Sequence, residues 1–388
     1  MTDALFDDTS LALIDRARRE LASGTAADAL NQRLRREGAE PDAVRNALQQ
    51  AQLQLAAARK FGDTASSLAF TRHGLEQATR GWIAAEHAHR LVAAGAASVA
   101  DLGCGIGADS RAFAALGLRV HAVDADADTA RIAAHNLREF PDAEAVHGTA
   151  EAADLSTVDA VWLDPARRGP RGRTPNPADW SPSLDFAFGL AATHRLGVKL
   201  GPAIDHDLLP PEAEWQWVGE GTETLEAAVW WGGAERRAGL RSALVRHGDN
   251  VTELASAEQL DAPETTGVGE WLLEPHGAVI RAGLLAHLAA ELDATLVSDS
   301  IAYLSAPAGT RHPLAQSFEV LLTAPLKPKA LNGTLRELGI GVVEIKQRGT
   351  GIDPAEFRRR LHLKGPNSAT IILTRDRGTH RAVLARRV

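Results

Sequence analysis

The chain has 388 residues, with 42 Lys+Arg against 50 Asp+Glu, 45% hydrophobic residues, 24% charged residues and one cysteine. At about 150 residues per domain, that length excludes a single small module. One cysteine excludes a disulfide framework and a thiolate metal cluster, so the composition points to a cytoplasmic protein without a metal. No apolar signal-peptide core opens the sequence and no window reaches about 18 uninterrupted apolar residues, which speaks against a membrane partner. Taken over the whole chain, the formal net charge of −8 speaks against nucleic acid.

From Leu11 to Lys60, apolar residues recur at helical spacing (Leu11, Ile14, Ala17, Leu21), with breaks at Gly24 and near Pro41. This pattern predicts an all-helical lead-in over residues 1–69, packed on the next domain. Between Ser98 and Arg246, short β-rich runs alternate with helical stretches: SVADLG, LRVHAVD, AEAVHG, VDAVWLD, RLGVKLG, EWQWVG and EAAVWW. Such alternation predicts an α/β fold with a doubly wound, Rossmann-like sheet over residues 70–250. Gly117 and Pro141 punctuate the first two helices. Polar, Pro/Gly/Thr-rich sequence after residue 250 predicts a connecting segment, assigned to 251–310 together with the helical run AVIRAGLLAHLAAEL. Residues 311–388 then read as a separate α+β domain.

The segment Val99 to Asp109, VADLGCGIGAD, lies where the first predicted strand runs into a helix. Glycines there let the backbone approach a ligand and aim helix amides at it. Gly103, Gly105 and Ala108 satisfy a dinucleotide pattern, with Asp124 21 residues after Gly103 where a ribose-binding acid belongs. Two features turn the reading away from a pyrophosphate. Asp101 stands two residues before the first glycine, and Gly107 extends the loop to D-x-G-x-G-x-G. A strand-end carboxylate repels pyrophosphate and suits a cation. The alternative is that Asp101 and Asp124 cap strand ends while the glycines serve packing. Cys104 has no nearby His in sequence and reads as packing, not as a nucleophile.

The loop resembles that of class I S-adenosylmethionine-dependent methyltransferases. That resemblance implies S-adenosylmethionine as cofactor, held by Asp101, Gly103, Cys104, Gly105 and Gly107 at the first strand. Asp124 and Ala125 would meet the ribose, and Thr149 and Ala150 the adenine.

The run VDAVWLDPARRGPRGR (Val158 to Arg173) places Asp164 at the end of the fourth predicted strand, the edge where open α/β sheets bind ligands. Pro165 forces the chain out of the sheet and frees carbonyls to accept. The segment resembles the D/N-P-P-Y/F/W motif of amino methyltransferases, which implies that Asp164 and the Pro165 region accept hydrogen bonds from a target amine. The chain reads D-P-A-R, so Arg167 stands where an aromatic stacks the base; a guanidinium plane also stacks or pairs with phosphate. Trp180 is weighed as a replacement ring against a structural, buried residue. Lys199, after the fifth strand, faces the same edge or solvent. Trp215, Trp217, Trp230 and Trp231 read as hairpin core.

FTRHGLEQATR (Phe70 to Arg80), DPARRG and KQRGTGIDPAEFRRRL together resemble a bacterial family of class I methyltransferases with a C-terminal THUMP-like domain. By this resemblance 70–250 is the methyltransferase domain and 311–388 the THUMP-like domain, and an RNA substrate is implied. The chain is also distantly similar to the guanine-N2 methyltransferases of RNA caps, which carry D-P-P-W where it has Asp164 to Arg167, and that likeness implies that Leu75 to Thr79 closes over the cofactor. A capped helix packed on the sheet is the alternative for that segment.

Charge offers a separate reading. Residues 327–388 carry 14 Lys+Arg and 5 Asp+Glu, a net of +9, which leaves −17 on residues 1–326. A compact basic domain suits phosphate binding; a solvated basic face is the alternative. Three functions stay open: methylation of a base nitrogen in tRNA or rRNA, methylation of a protein amide or small molecule, and a non-catalytic cofactor-fold RNA-binding protein. His87 and His89, two apart on a predicted helix, do not face one ligand.

Overall fold

The computed structural model describes residues 6–166, 168–169, 172–173 and 180–388. It divides into two units, Met1–Leu200 with Val229–Arg236, and Gly201–Ala228 with Arg237–Val388.

The first unit opens with α1 (Asp8–Ala22), α2 (Ala27–Arg36) and α3 (Pro41–Phe61). Asp7 caps α1 by accepting from the Ser10 amide at 2.7 Å. Pro41 starts α3 where its missing N–H leaves no bond unmade. Ala17, Leu30, Leu34, Val44 and Ala51 interlock as a small core, so the periodic residues face one another as expected.

After α4 (Arg72–Gln77) and α5 (Gly81–Ala93) comes a parallel sheet. Its strands are β1 (Ser98–Leu102), β2 (Arg119–Asp124), β3 (Ala143–His147), β4 (Ala160–Leu163) and β5 (Arg195–Leu200). They lie in the order β3-β2-β1-β4-β5, followed by the end of β7 (Glu223–Trp231). β1 is central, with Val99 opposite Val120 on one side and Ala160 on the other. Both β1 and β4 are buried along their whole length, as strands covered on both faces are. Connecting helices α6 (Ala108–Ala115) and α7 (Ala127–Leu137) end before Gly117 and Pro141, and α8 (Leu184–Gly189) precedes β5. The strand order reverses between β1 and β4, which makes their carboxyl ends the crevice where such sheets take ligands.

The second unit continues β7 with β6 (Glu214–Glu220), β8 (Arg241–His247) and β9 (Asn250–Ser256), in the order β7-β6-β8-β9. A seven-stranded sheet comes next. It contains β10 (Trp271–Pro275), β11 (Thr295–Ser298), β12 (Ile301–Ala306), β13 (Ala315–Pro325), β14 (Ile340–Gln347), β15 (Asn367–Asp376) and β16 (Thr379–Arg387). Their order is β11-β12-β10-β13-β16-β15-β14. Helices α11 (Pro328–Glu337) and α12 (Pro354–Arg359) cover one face through Leu331, Leu335 and Phe357. Tyr303, Phe318, Ile372 and Val383 belong to a second core cluster.

Residues 251–310, expected as a connecting segment, instead hold most of β9 and all of β10 to β12. The run Ala278–Leu292 forms two short helices, α9 (Gly277–Arg281) and α10 (Leu285–Glu291), separated at Gly283, whose φ is +71°. The Pro/Thr-rich signal marks only the irregular stretch before β10. The α+β sheet therefore starts well before residue 311.

Candidate functional site

The glycine loop is stitched to both neighbouring strands. The amides of Gly103 and Cys104 donate to the Val123 carbonyl at 2.8 and 3.1 Å, and the Asp164 amide donates to the Leu102 carbonyl at 3.4 Å. Gly103 has φ +84°, and a Cβ there would sit 3.3 Å from the Asp164 carbonyl oxygen. A side chain would strain the backbone and press on the end of β4. Gly105, at φ +56°, has no atom of the described residues within 4 Å of its Cβ position, so among them its backbone is open on that side. Gly107 starts α6 and packs against Ala133. Cys104 is buried, and burial pushes its thiol well above its usual pKa, which fits packing and not nucleophilic chemistry.

Asp124 ends β2 and accepts from two amides, Gly105 at 2.9 Å and Asp126 at 2.9 Å. Burial raises its pKa, and those amides oppose the rise. A carboxylate has about four acceptor positions, so it retains capacity for ligand hydroxyls. Ala125 and Thr149 are exposed beside it and Ala150 is half-buried, with Thr149 at the start of a short 3₁₀ turn.

Asp101 is 1% exposed and accepts from Ser110 at 2.5 Å. Burial above all, with the charge of Asp109 next, pushes its pKa up to about 8; the Ser110 bond and Lys199 only partly counter this. A buried carboxyl so poorly compensated is fitted to receive a cation.

Asp164 is reached by Lys199 from β5, whose Nζ donates to Oδ2 at 2.7 Å with the lysine side chain 14% exposed. Lys199 thus faces the ligand edge and not solvent. The same ammonium donates to the Thr79 hydroxyl at 3.0 Å. Thr79 donates to Asp109 Oδ2 at 2.6 Å, and His87 Nδ1 lies 2.8 Å from Asp109 Oδ1. Burial pushes the Asp109 carboxyl up. The His87 hydrogen bond and ring charge, then Lys199 and Thr79, outweigh it and hold the group below the usual carboxylate range. His87 is 1% exposed and lies against Trp162 of β4, ring centres 4.1 Å apart. Asp164, Lys199, Thr79, Asp109 and His87 therefore form one connected polar line, of which the sequence singled out Asp164 and weighed Lys199. Asp109 carries a legible signal, since it stands two residues after Gly107.

Pro165 is buried and Ala166 exchanges two backbone bonds with Ser181, at 2.9 and 3.1 Å. Arg167 lies outside the described residues. Trp180 is 7% exposed and Trp217 and Trp230 are fully buried, as structural tryptophans are.

The segment Leu68 to Thr79 lies on the glycine loop, and polar side chains hold it there. Gln50 of α3 bonds both the carbonyl and the amide of Phe70, at 2.7 and 3.0 Å; Gln54 donates to the Leu68 carbonyl at 2.9 Å. Asn136 of α7 accepts from the Ala69 amide and donates to the carbonyls of Ala69 and Ile106. Lys60 donates to the carbonyls of Leu75, Glu76 and Ala78. Gly74 meets the loop directly, since a Cβ on it would fall 2.4 Å from Ile106 Cγ2. The N-terminal helices thus position this segment, and Leu53 and Ala57 of α3 share a core cluster with Ile106 of the loop and Ile132 of α7.

A family model for a methyltransferase domain matches residues 99–166, and one for a THUMP domain-like unit matches residues 315–387. An uncharacterised S-adenosylmethionine-dependent methyltransferase of Mycobacterium tuberculosis is 34% identical over 338 residues, 83% of this chain and 90% of the relative. The chain belongs to the S-adenosylmethionine-dependent methyltransferases. A candidate methyltransferase from Porphyromonas gingivalis W83 shares its fold along 99% of both chains, with TM-score 0.77 and 20% identity. The methyltransferase has S-adenosylmethionine as cofactor, and the residues at the loop suit it: a buried, only partly compensated carboxyl at Asp101, open backbone at Gly105 and spare acceptors on Asp124. Among the described residues no group of three or more His, Cys, Asp or Glu is placed to hold a metal, and no helix is long and apolar enough to cross a membrane.

Proposed function

We propose that the enzyme methylates a nitrogen on a base of a structured RNA, tRNA or rRNA, at the carboxyl end of β4. One observation carries the reading: Asp164 closes β4 directly against Gly103 of the glycine loop, with its carboxylate anchored by Lys199. S-adenosylmethionine supplies an electrophilic methyl on a sulfonium. Asp101 would face its ammonium, Asp124 and Ala125 its ribose, and Thr149 and Ala150 its adenine, with Gly103, Cys104, Gly105 and Gly107 lining its approach. Asp164 and the Pro165 carbonyl accept N–H groups of the target, which turns the nitrogen lone pair toward the methyl and gives the departing proton an acceptor. Positioning and charge placement suffice for such a displacement.

The RNA assignment rests on the THUMP domain-like match at residues 315–387 and on the +9 charge of residues 327–388. Lys327, Lys329, Arg336, Arg359 and Lys364 are exposed on or beside α11 and α12, and exposed cations are what phosphate contacts need. The test is mass spectrometry of nucleosides from total RNA with and without the gene. One methylated nucleoside should vanish, and return with wild type but not with Asp164→Ala. An unchanged profile overturns the RNA substrate; full rescue by Asp164→Ala overturns the role of Asp164.

A further inference from the structure

Within the second unit, apart from the glycine loop, β10, β13, β14 and β16 border a cleft of about 730 Å³, the size of small-molecule sites. Four cationic side chains line it, Arg311, Lys346, Arg348 and Arg387, against one carboxylate, Glu274. Two of them rest on the face of Phe318, Lys346 and Arg387 each 5.9 Å from its centre, and Arg348 lies 4.9 Å from the centre of Tyr303. Glu274 is engaged by Lys346 at 2.6 Å, and Arg387 pairs with Glu344. Arg348 spends one bond on the Ala302 carbonyl at 2.6 Å. Exposed Arg311 has no ion-pair or hydrogen-bond partner among the described residues. The lining therefore keeps an excess of positive charge and donors.

Two buried polar atoms in the lining lack any partner among the described residues: Nε2 of His276, a residue 8% exposed, and Oε1 of Gln316. The His276 Nδ1 accepts from the Ala278 amide at 3.0 Å, so Nε2 carries the proton and is a donor. Burial, then His247, lowers the His276 pKa to about 4, leaving the ring neutral at pH 7. An orphan donor beside an orphan acceptor suits a hydrogen-bonding edge that offers both; an anion serves the His276 donor but leaves the Gln316 acceptor unmet. Pro275, Pro313 and Leu314 supply apolar wall.

We propose that this cleft is a second ligand site that takes a phosphorylated nucleotide. The cationic side chains hold the phosphate, while His276 and Gln316 meet the base edge. A bare phosphate would leave the Gln316 acceptor unmet, and an uncharged nucleoside would leave the cations unmet. The ligand is a free nucleotide or the terminal nucleotide of an RNA strand, and the site stands whatever the methyl acceptor is.

The test is calorimetry of the full chain saturated with S-adenosylhomocysteine, so that the cofactor site is filled. The probes are the four ribonucleoside 5′-monophosphates, inorganic phosphate and a short 5′-phosphorylated RNA. At least one monophosphate should bind more tightly than about 1 mM and more tightly than phosphate. Arg311→Glu should weaken it by about tenfold or more. His276→Asn, which keeps a cap for α9, should weaken the monophosphate more than it weakens phosphate; thermal melts check that both variants fold. If the short RNA also binds and responds to both variants, the site reads an RNA end. If it does not, the ligand is a free nucleotide. No monophosphate binding, equal binding of phosphate, or indifference to both variants overturns the proposal.

Discussion

Lys199 Nζ stands 2.7 Å from the Asp164 carboxylate and 3.0 Å from the Thr79 hydroxyl. One ammonium from β5 thereby joins the end of β4 to the segment that lies on the glycine loop. These residues are 35 and 120 positions away from it in sequence, so only the fold brings them together.

That junction makes Lys199 a positioning residue for Asp164. Lys199→Met should lower kcat by about 10²-fold, the size of effect seen when one preorganised donor is lost, while KM for S-adenosylmethionine changes little. Lys199→Arg should recover part of the loss. Steady-state kinetics with melting curves separate this from unfolding, and a Lys199→Met enzyme with wild-type kcat would remove Lys199 from the mechanism.

Asp101 predicts a pH dependence. Its pKa is about 8 in the folded chain against an ordinary carboxylate value when unfolded. Across that interval the folded state holds a proton that the unfolded chain has released, so the group lowers the stability of the ligand-free enzyme as pH rises from about 4 to 8. An ammonium placed against Asp101 must expel that proton. Affinity for S-adenosylmethionine should therefore rise between about pH 6 and 7.5, by up to about tenfold per unit, while the cofactor's own amine stays charged. Methylthioadenosine, which lacks the amino-acid end, should bind with a flat profile in the same calorimetry. Parallel profiles for the two ligands would place Asp101 elsewhere.

The sheet and the loop were legible because their signals are local. Asp101, Gly103, Gly105 and Asp124 each sit where a strand meets a turn, and β-rich runs alternate with capped helices at fixed spacing. Arg167 lies outside the described residues, so the departure from an aromatic at that place stays a matter of sequence. His87 was invisible as a polar partner because its mate, Asp109, is 22 residues away; the sequence set it only against His89, two residues on. Gln50, Gln54 and Asn136 were equally silent, since an amide in a helix reads as solvated until the loop it holds is seen. The strands within 251–310 went unread for a related reason: polar composition marks a break in regular structure, not the edge of a core.

Gly74 and Ile106 should show coupling. Gly74→Ala places a methyl 2.4 Å from Ile106 Cγ2 and 2.8 Å from Thr71 Oγ1, and the β-branched isoleucine has little rotamer freedom to yield. The substitution should lift the segment from the loop, costing about 1–3 kcal/mol and weakening S-adenosylmethionine. Adding Ile106→Ala should recover part of the Gly74→Ala loss, with an interaction energy of about 0.5 kcal/mol or more. Strict additivity in denaturation and binding would mean that the segment does not rest on the loop through this pair.

The basic helices yield a prediction in salt. Lys329 at the start of α11 and Arg359 in α12 are exposed, and each is expected to neutralise one phosphate. Counterion release then sets the slope of log K against log[salt], at close to one per phosphate contact. Lys329→Ala and Arg359→Ala should each flatten that slope by about one and weaken RNA at low salt, without changing which RNA is preferred. S-adenosylmethionine affinity should be untouched, because the cofactor loop belongs to the other unit. Binding titrations at several salt concentrations decide it: slopes that match wild type would leave the +9 charge of residues 327–388 as a solvated surface and move RNA contact to another face.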